Sequence, residues 1–420
     1  MKAKKFCIIA LVLAIVLFIA PISESRAEEE PEVKVSGDYE YYILDDGTAC
    51  IKKYNGNDEK VTIPDKLDEK KVTGIGDGAF SSCENLTEVT IPDSVENIGI
   101  NPFSECENLL NINISANHPT LFFLDNVIFY KPEKRLVSYL SASEEKKYEI
   151  PKGIKIIGDS AFSGCKNLEE INIPNSVQSI GKRAFFGCTN LTEIKIPDSV
   201  QSIGDSAFSA CINLTEIKIP DGVQSIGDSV FSFSINLTEI KIPDSLENIG
   251  INPFDGCTNL LKINISDNHH TLEFVDNALI YKPEKRLVTY LRTSNKTKYE
   301  IPKGIKIIGD GAFTFCNNLT EIKIPDSVET IRNLVFTGCN NLTEINIPDS
   351  VQSIGNWVFN GCDNLKKIKI PASVKTIKDD AFYGSNNLTI IVEKGSFVEE
   401  YCKENNIKYM YEDSLNWLKN

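Results

Sequence analysis

Apolar residues recur along most of this chain with a period of 23. One unit, Ile196 to Glu216, reads IPDSVQSIGDSAFSACINLTE, and Ile217-Lys218-Ile219 leads into the next. Its apolar positions are Val200, Ile203, Ala207, Phe208, Cys211, Leu214, Ile217 and Ile219. Adjacent units keep these types and change the rest. From Leu214 to Ile219 apolar and polar residues alternate, the period of a short half-buried strand. The proline that follows has no N–H and a fixed φ, so it ends the strand. Ile203-Gly204 opens the return side, where Gly204 is expected to serve a tight bend. Ala207 and Phe208 form the inward wedge of that side. A unit this short cannot enclose a core, but stacked units bury a continuous apolar column. Each strand then pairs with the same strand of its neighbours, about 4.8 Å away. The expected fold is a repeat solenoid: a right-handed coil, mainly β, with short helical or irregular return segments and a parallel sheet on one face.

The repeat has two longer units. The steps from Ile114 to Ile150 and from Ile265 to Ile301 are each 36 residues, placing the insertions at 115–150 and 266–301. The two match each other at an offset of 151. Residues 130–137 and 281–288 both read YKPEKRLV, and 148–159 and 299–310 both read YEIPKGIKIIGD. A block of about six coils is therefore duplicated within the chain. Each long unit is expected to carry a hairpin, over Val127–Leu140 and Ala278–Leu291. Thirteen steps separate Ile63 from Glu393.

The stack needs covered ends. Tyr39–Leu44 and Ala49–Tyr54 flank Asp45-Asp46-Gly47-Thr48, which reads as a hairpin. At the far end Ser396 and Glu399 form a capping box before a short apolar helix, and Ile407, Tyr409 and Tyr411 alternate as a last strand. The expected organisation is a targeting segment at 1–27, an N-terminal cap at 28–60, the solenoid at 61–392 and a C-terminal cap at 393–420. With both caps in place the chain reads as complete.

The motif Leu-x-x-Ile-x-Ile-Pro-x-x-Val-x-x-Ile-Gly-x-x-Ala-Phe-x-x-Cys-x-x-Leu resembles the BspA-type leucine-rich repeat over about residues 37–411. The long units, with Asp125-Asn126 and Tyr130-Lys131-Pro132, resemble the extended hairpin-bearing repeats of that family. The resemblance implies an exported or surface protein of a bacterium, acting in adhesion on host matrix or clotting proteins such as fibronectin and fibrinogen.

The leader supports export. Lys2, Lys4 and Lys5 precede an apolar run from Phe6 to Ala20, and Ser25-Arg26-Ala27 places small residues for cleavage after Ala27. That removal shifts the formal charge from −15 to −18. No later segment is apolar enough to span a membrane. An acidic chain lacks the basic stripe that phosphate backbones require, so no nucleic-acid partner is expected. Lysine supplies 38 of the 44 basic residues, which fits an AT-rich bacterial genome.

Chemistry-bearing residues dissolve into the repeat. Nine of twelve cysteines, from Cys83 to Cys362, occupy one repeat position, and Ser234 and Ser385 take it elsewhere. They read as small buried residues with free thiols, although export would permit disulfides. Cys50 and Cys402 sit in opposite caps. His118 and His269 occupy equivalent loop positions, and His270 adjoins the second. No zinc-ligand spacing or nucleophile triad accompanies them. No catalytic, cofactor-binding or metal residue is expected, and no cofactor. Seven Asn-Leu-Thr sequons (Asn85, Asn190, Asn213, Asn236, Asn318, Asn341 and Asn387) share one position, where the Asn is expected to cap the turn before the strand.

One surface remains as a candidate ligand face. Exposed strand positions carry a glutamate column with Glu170, Glu193, Glu216, Glu239, Glu321 and Glu344. A lysine column with Lys195, Lys218, Lys241 and Lys323 runs two residues further on. These positions read either as a solvated charge grid or as a docking face, and the two hairpins rank equally with it. The expected function is non-catalytic binding of a protein or cell-surface macromolecule, in particular host extracellular matrix. The alternative is a self-associating structural protein of the envelope or matrix, and an enzyme is a remote third.

Overall fold

A computed structural model describes residues 32–378, 380–385 and 387–411. The leader at 1–27 with its cleavage point, and residues 412–420 of the C-terminal cap, lie outside the described residues. The front of the solenoid is built from short strands such as Glu170–Asn172, Glu193–Lys195, Glu216–Lys218 and Glu321–Lys323. The middle residue of each is a buried Ile and its flanks face solvent. Neighbouring front strands pair in parallel with no register slip, Ile171 opposite Ile194 and Ile322 opposite Ile345.

A second parallel ladder runs along the return side, where the sequence predicts only bends. Its rungs are two residues long: Ile156–Ile157, Ser179–Ile180, Ser202–Ile203, Ser225–Ile226 and Asn248–Ile249 are joined in order. Gly204 is needed here for a different reason from the bend expected of it. Its φ is not positive; instead a Cβ would stand 2.6 Å from the Lys182 N and 2.7 Å from the Gly181 carbonyl carbon of the preceding coil. In this coil a side chain at 204 would meet the preceding backbone, which glycine avoids.

The return segments are turns, not helices. Ser160, Arg183, Ser206, Ser229 and Asn252 take one repeat position with φ of 53–54°, in the left-handed region. Inside the coil the phenylalanines stack. Centroids from Phe162 through Phe185, Phe208 and Phe231 to Phe254 are 5.2 to 5.9 Å apart and their rings nearly parallel. The cysteine position has a hydrogen-bonding role as well as a size. Cys188, Cys211 and Cys339 donate to the carbonyls of Phe162, Phe185 and Phe313 at 3.1 to 3.2 Å. Ser234 and Ser385 donate to Phe208 and Phe359 in the same way. The site accepts any small donor, which is why Cys and Ser interchange. All eleven described cysteines are free.

The coil count exceeds the thirteen steps read from the repeat and reaches about sixteen turns. The caps supply the difference, because their strands join the ladders. Ala49–Tyr54 pairs in parallel with Lys70–Ile75, and Tyr409–Tyr411 with Thr389–Val392. The single helix among the described residues, α1 (Phe397–Glu404), is capped by Ser396, whose Oγ accepts from the Glu399 N–H at 3.2 Å. The Glu399 carboxylate reaches Gly395 N–H at 2.7 Å and accepts from Tyr411 at 2.8 Å, in place of the reciprocal capping-box bond. Lys403, the Gly395 N–H and Tyr411 hold its pKa down to about 2.

Each long unit holds three antiparallel strands where a two-stranded hairpin is predicted. Leu121–Leu124, Val127–Tyr130 and Arg135–Tyr139 form a meander, and the last of them enters the return ladder beside Ile156–Ile157. Leu272–Val275, Ala278–Tyr281 and Arg286–Tyr290 repeat the arrangement. The meander crosses the interior as a partition. Ile128 packs with the core of the preceding coils, while Val127 and Phe129 pack with the core that follows. In the second meander Leu279 and Tyr281 join the middle core, and Ala278 and Ile280 the last. The apolar column is thus divided into three cores.

Candidate interaction surface

The front face places the predicted charge columns in register. Glu170 lies opposite Glu193, Glu216 opposite Glu239, Lys218 opposite Lys241 and Glu321 opposite Glu344. Like charges at this spacing repel. The columns change sign where each block of coils begins or ends. Lys147 and Lys298 hold the glutamate position on the first rung after each partition, while Glu149 and Glu300 hold the lysine position. Lys147 pairs with Glu170 at 2.5 Å, Lys298 with Glu321 at 2.5 Å, and Lys323 with Glu300 at 3.0 Å. At the far end of the middle block Lys262 stands 3.6 Å from Glu239. Lys195 turns back to Glu193 at 3.1 Å. Such exposed pairs each contribute about 0–1 kcal/mol, so the grid neutralises itself without adding much stability.

The grid is not continuous. The front ladder breaks at both partitions and once more between Glu193–Lys195 and Glu216–Lys218. Beyond that third break Glu216, Lys218 and Lys241 have no ion-pair partner among the described residues. Glu344 is likewise unpaired. The structure therefore brings Glu170, Glu193, Lys195, Glu239, Glu321 and Lys323 into pairs and leaves these four charges without an ion-pair partner among the described residues.

The hairpin strands are buried, Val127–Tyr130 and Ala278–Tyr281 almost wholly, whereas the hairpin turns at 131–134 and 282–285 are exposed. Their duplicated histidines are buried too, His118 and His269 each at 1% exposure. His118 Nδ1 accepts from the Thr120 and Leu121 N–H groups at 3.3 and 3.0 Å, which leaves Nε2 to donate to the Pro92 carbonyl at 3.2 Å. This arrangement requires the neutral ring, and burial lowers the His118 pKa below 6.5. The unfolded chain takes up the proton first, so stability falls as pH drops through about 6.5. Chemical denaturation from pH 7.5 to 5.5 should show this decline, and His118→Gln should flatten it while lowering stability at pH 7.5.

The sequon position is also structural. Asn167, Asn318 and Asn341 donate to the Ser143, Ser294 and Asn317 carbonyls of the preceding coil at 2.8 to 3.0 Å, rather than capping their own turn. The hydroxyls of Thr192, Thr238 and Thr343 bond back in the same sense. Among the described residues no group of three or more His, Cys, Asp or Glu is placed to hold a metal, and no helix is long and apolar enough to cross a membrane. A cavity of about 470 Å³ beside Tyr42, Lys52, Asp77 and Arg135 lies where the N-terminal sheet meets the first partition. Its groups are engaged locally: Arg135 Nε with Glu133 at 2.7 Å, and Asp77 with the Ile100 N–H at 2.7 Å.

Comparison with known proteins agrees with this architecture. The family described as BspA type Leucine rich repeat region matches six copies, over residues 53–132, 138–261 and 289–409. This chain belongs to that family of leucine-rich repeat proteins. Among solved structures it is similar to a leucine rich cell surface protein from Faecalibacterium prausnitzii A2-165, at 30% identity over 91% of this chain and 99% of that one, with a TM-score of 0.55. It is also similar to a leucine-rich repeat protein from Eubacterium ventriosum ATCC 27560, at 26% identity over 65% and 76%, TM-score 0.57. The pneumococcal vaccine antigen PcpA shares the fold at 20% identity over 86% and 81%, TM-score 0.56. No curated protein matches the chain.

Proposed function

We propose that this protein is exported, is held at or released from a bacterial cell surface, and binds a protein or cell-surface macromolecule without catalysis. The observation that carries the reading is the front face itself. It is a parallel ladder, interrupted three times, with a self-neutralising grid on which Glu216, Lys218 and Lys241 stay unpaired beside the third break. Paired charges are spent within the molecule, whereas an unpaired cluster on a repeating scaffold can set the register of a partner. The similar protein from Faecalibacterium is described as a cell surface protein, and this supports the location. Host extracellular matrix is the partner class to test first.

The full mature chain should be passed over immobilised matrix proteins and whole host cells. A triple reversal, Glu216→Lys with Lys218→Glu and Lys241→Glu, is expected to weaken any binding at least tenfold. Binding that survives the reversal unchanged would move the ligand face elsewhere. Absence of binding to every matrix and cell fraction would remove the reading. Amino-terminal sequencing of exported protein should begin at Glu28.

A further inference from the structure

At each partition an edge strand reaches the surface. Leu121–Leu124 is the terminal strand of an eight-stranded sheet and is paired on one side only, with Val127–Tyr130. The Lys131 N–H donates to the Thr120 carbonyl at 2.8 Å, which fixes the alternation of the ladder. Phe122 and Leu124 turn their backbone groups inward, and Leu121 and Phe123 turn theirs outward. The Leu121 N–H is taken by His118. The Phe123 N–H and carbonyl have no hydrogen-bond partner among the described residues.

This edge is short, but its residues carry none of the usual protections. It reads Leu-Phe-Phe-Leu, without charge, proline or bulge. Natural edges are normally blunted by one of these. Leu124 is 46% exposed, and Leu110, standing where other coils carry Thr192 or Thr238, is 51% exposed. A cavity of about 520 Å³ opens beside Phe123, lined also by Ile112 and Ile114. The second partition differs at this point. Its edge reads Leu-Glu-Phe-Val, and Glu273 is exposed.

We propose that Leu121–Leu124 is a dimerisation edge that pairs antiparallel with the same strand of a second copy of this chain. A twofold axis at Phe123 sets it opposite the partner's Phe123. Each Phe123 N–H then donates to the other Phe123 carbonyl, so the orphan groups of both chains satisfy one another. Phe122 falls opposite the partner's Leu124, which makes the two central side-chain pairs apolar, and Leu121 meets Asp125 only where the strand ends. The contact is isologous and closes at two copies. The second edge does not pair in this way, because the same register would press Glu273 against the partner's Val275 and desolvate its carboxylate. Two short strands bury less than a standard interface of about 1,600 Å², so the dimer is weak and concentration-dependent.

Sedimentation velocity of the full mature chain from about 1 to 300 µM tests the assignment against the standard interface scale. The expected result is a reversible monomer–dimer equilibrium. Phe123→Pro removes the outward N–H and leaves the inward ladder, because Phe123 donates nothing to Val127–Tyr130. It should abolish the dimer, and Phe274→Pro should not. Should Phe123→Pro fail to fold, Leu124→Lys carries the same test by placing a charge at the apolar pair. A strictly monomeric wild type overturns the proposal, as does a dimer that persists in a folded Phe123→Pro or Leu124→Lys. A monomer that instead captures an added extended peptide at this edge overturns it in favour of a foreign strand.

Discussion

Replacing Phe208 by Ala is expected to destabilise the solenoid by about 4 kcal/mol, near the top of the range for large-to-small core changes. Phe208 has no solvent exposure. Its ring stacks on Phe185 at 5.2 Å and 7°, and on Phe231 at 5.8 Å and 11°. The cost therefore includes the lost transfer of the ring and two aromatic contacts, each worth about 0.5–1.5 kcal/mol. The cavity also cannot close. The backbones on either side are held at a fixed spacing by bonds that do not involve the ring, from Phe185 N–H to the Ala207 carbonyl and from Phe208 N–H to the Val230 carbonyl, at 2.8 and 2.9 Å. In a one-dimensional stack each coil touches only its neighbours, so the loss also cuts the cooperative unit in its middle. Urea unfolding should show an early transition, and amide exchange should accelerate first between Ile203 and Leu214. Phe382→Ala, at a ring 7% exposed near the end of the stack, should cost less. A change below about 1 kcal/mol at Phe208 would mean that the phenylalanine column is not what holds the coils together.

The front ladder and the phenylalanine column were legible because they repeat and because they alternate. Ile217 between Glu216 and Lys218 announces both its strand and its inner face. The return ladder was not legible, since a strand as short as Ser202–Ile203 has no alternation to read. Gly204 marked the right place for the wrong reason: the sequence shows a glycine but not the backbone of the preceding coil pressed against it. The third strand of each partition escaped for a different physical reason. Leu121-Phe122-Phe123-Leu124 has apolar side chains on both faces because it lies between two cores. Period-two reading looks for one wet face, and an unbroken apolar run bounded by turn residues was the available sign. The left-handed residues carry no signal at all, because Ser206 and Arg183 occupy φ near 54° where glycine would be looked for. The charge columns were visible, but their reversal at Lys147-Tyr148-Glu149 gains meaning only once the partition is seen to end the block there.

Asp255→Ala alone is expected to destabilise the protein by about 3–5 kcal/mol, whereas Asp255→Ser with Arg292→Ser should leave it near the wild type or above it. Asp255 Oδ1 meets Arg292 Nη2 at 3.1 Å, and the two side chains are 8% and 11% exposed. Arg292 also lies over the Phe315 ring at 5.4 Å, and its Nη1 is buried without a hydrogen-bond partner. Burial raises the Asp255 pKa even though Arg292 pulls it down, so desolvation outweighs the attraction. A pair of this kind contributes little net stability, yet removing one member strands the other charge inside the protein. The duplicated block supplies the control within the same chain. At the offset of 151 the equivalents of Asp255, Arg292 and Phe315 are Ser104, Ser141 and Gly164, so that block has no ion pair at these positions. The double serine variant therefore recreates an arrangement this fold already uses. Chemical denaturation of Asp255→Ser, Arg292→Ser and the double variant gives the coupling energy directly. Single variants that each cost less than about 1 kcal/mol, or a double that costs as much as their sum, would show that Asp255 and Arg292 are solvated in solution and not a buried pair.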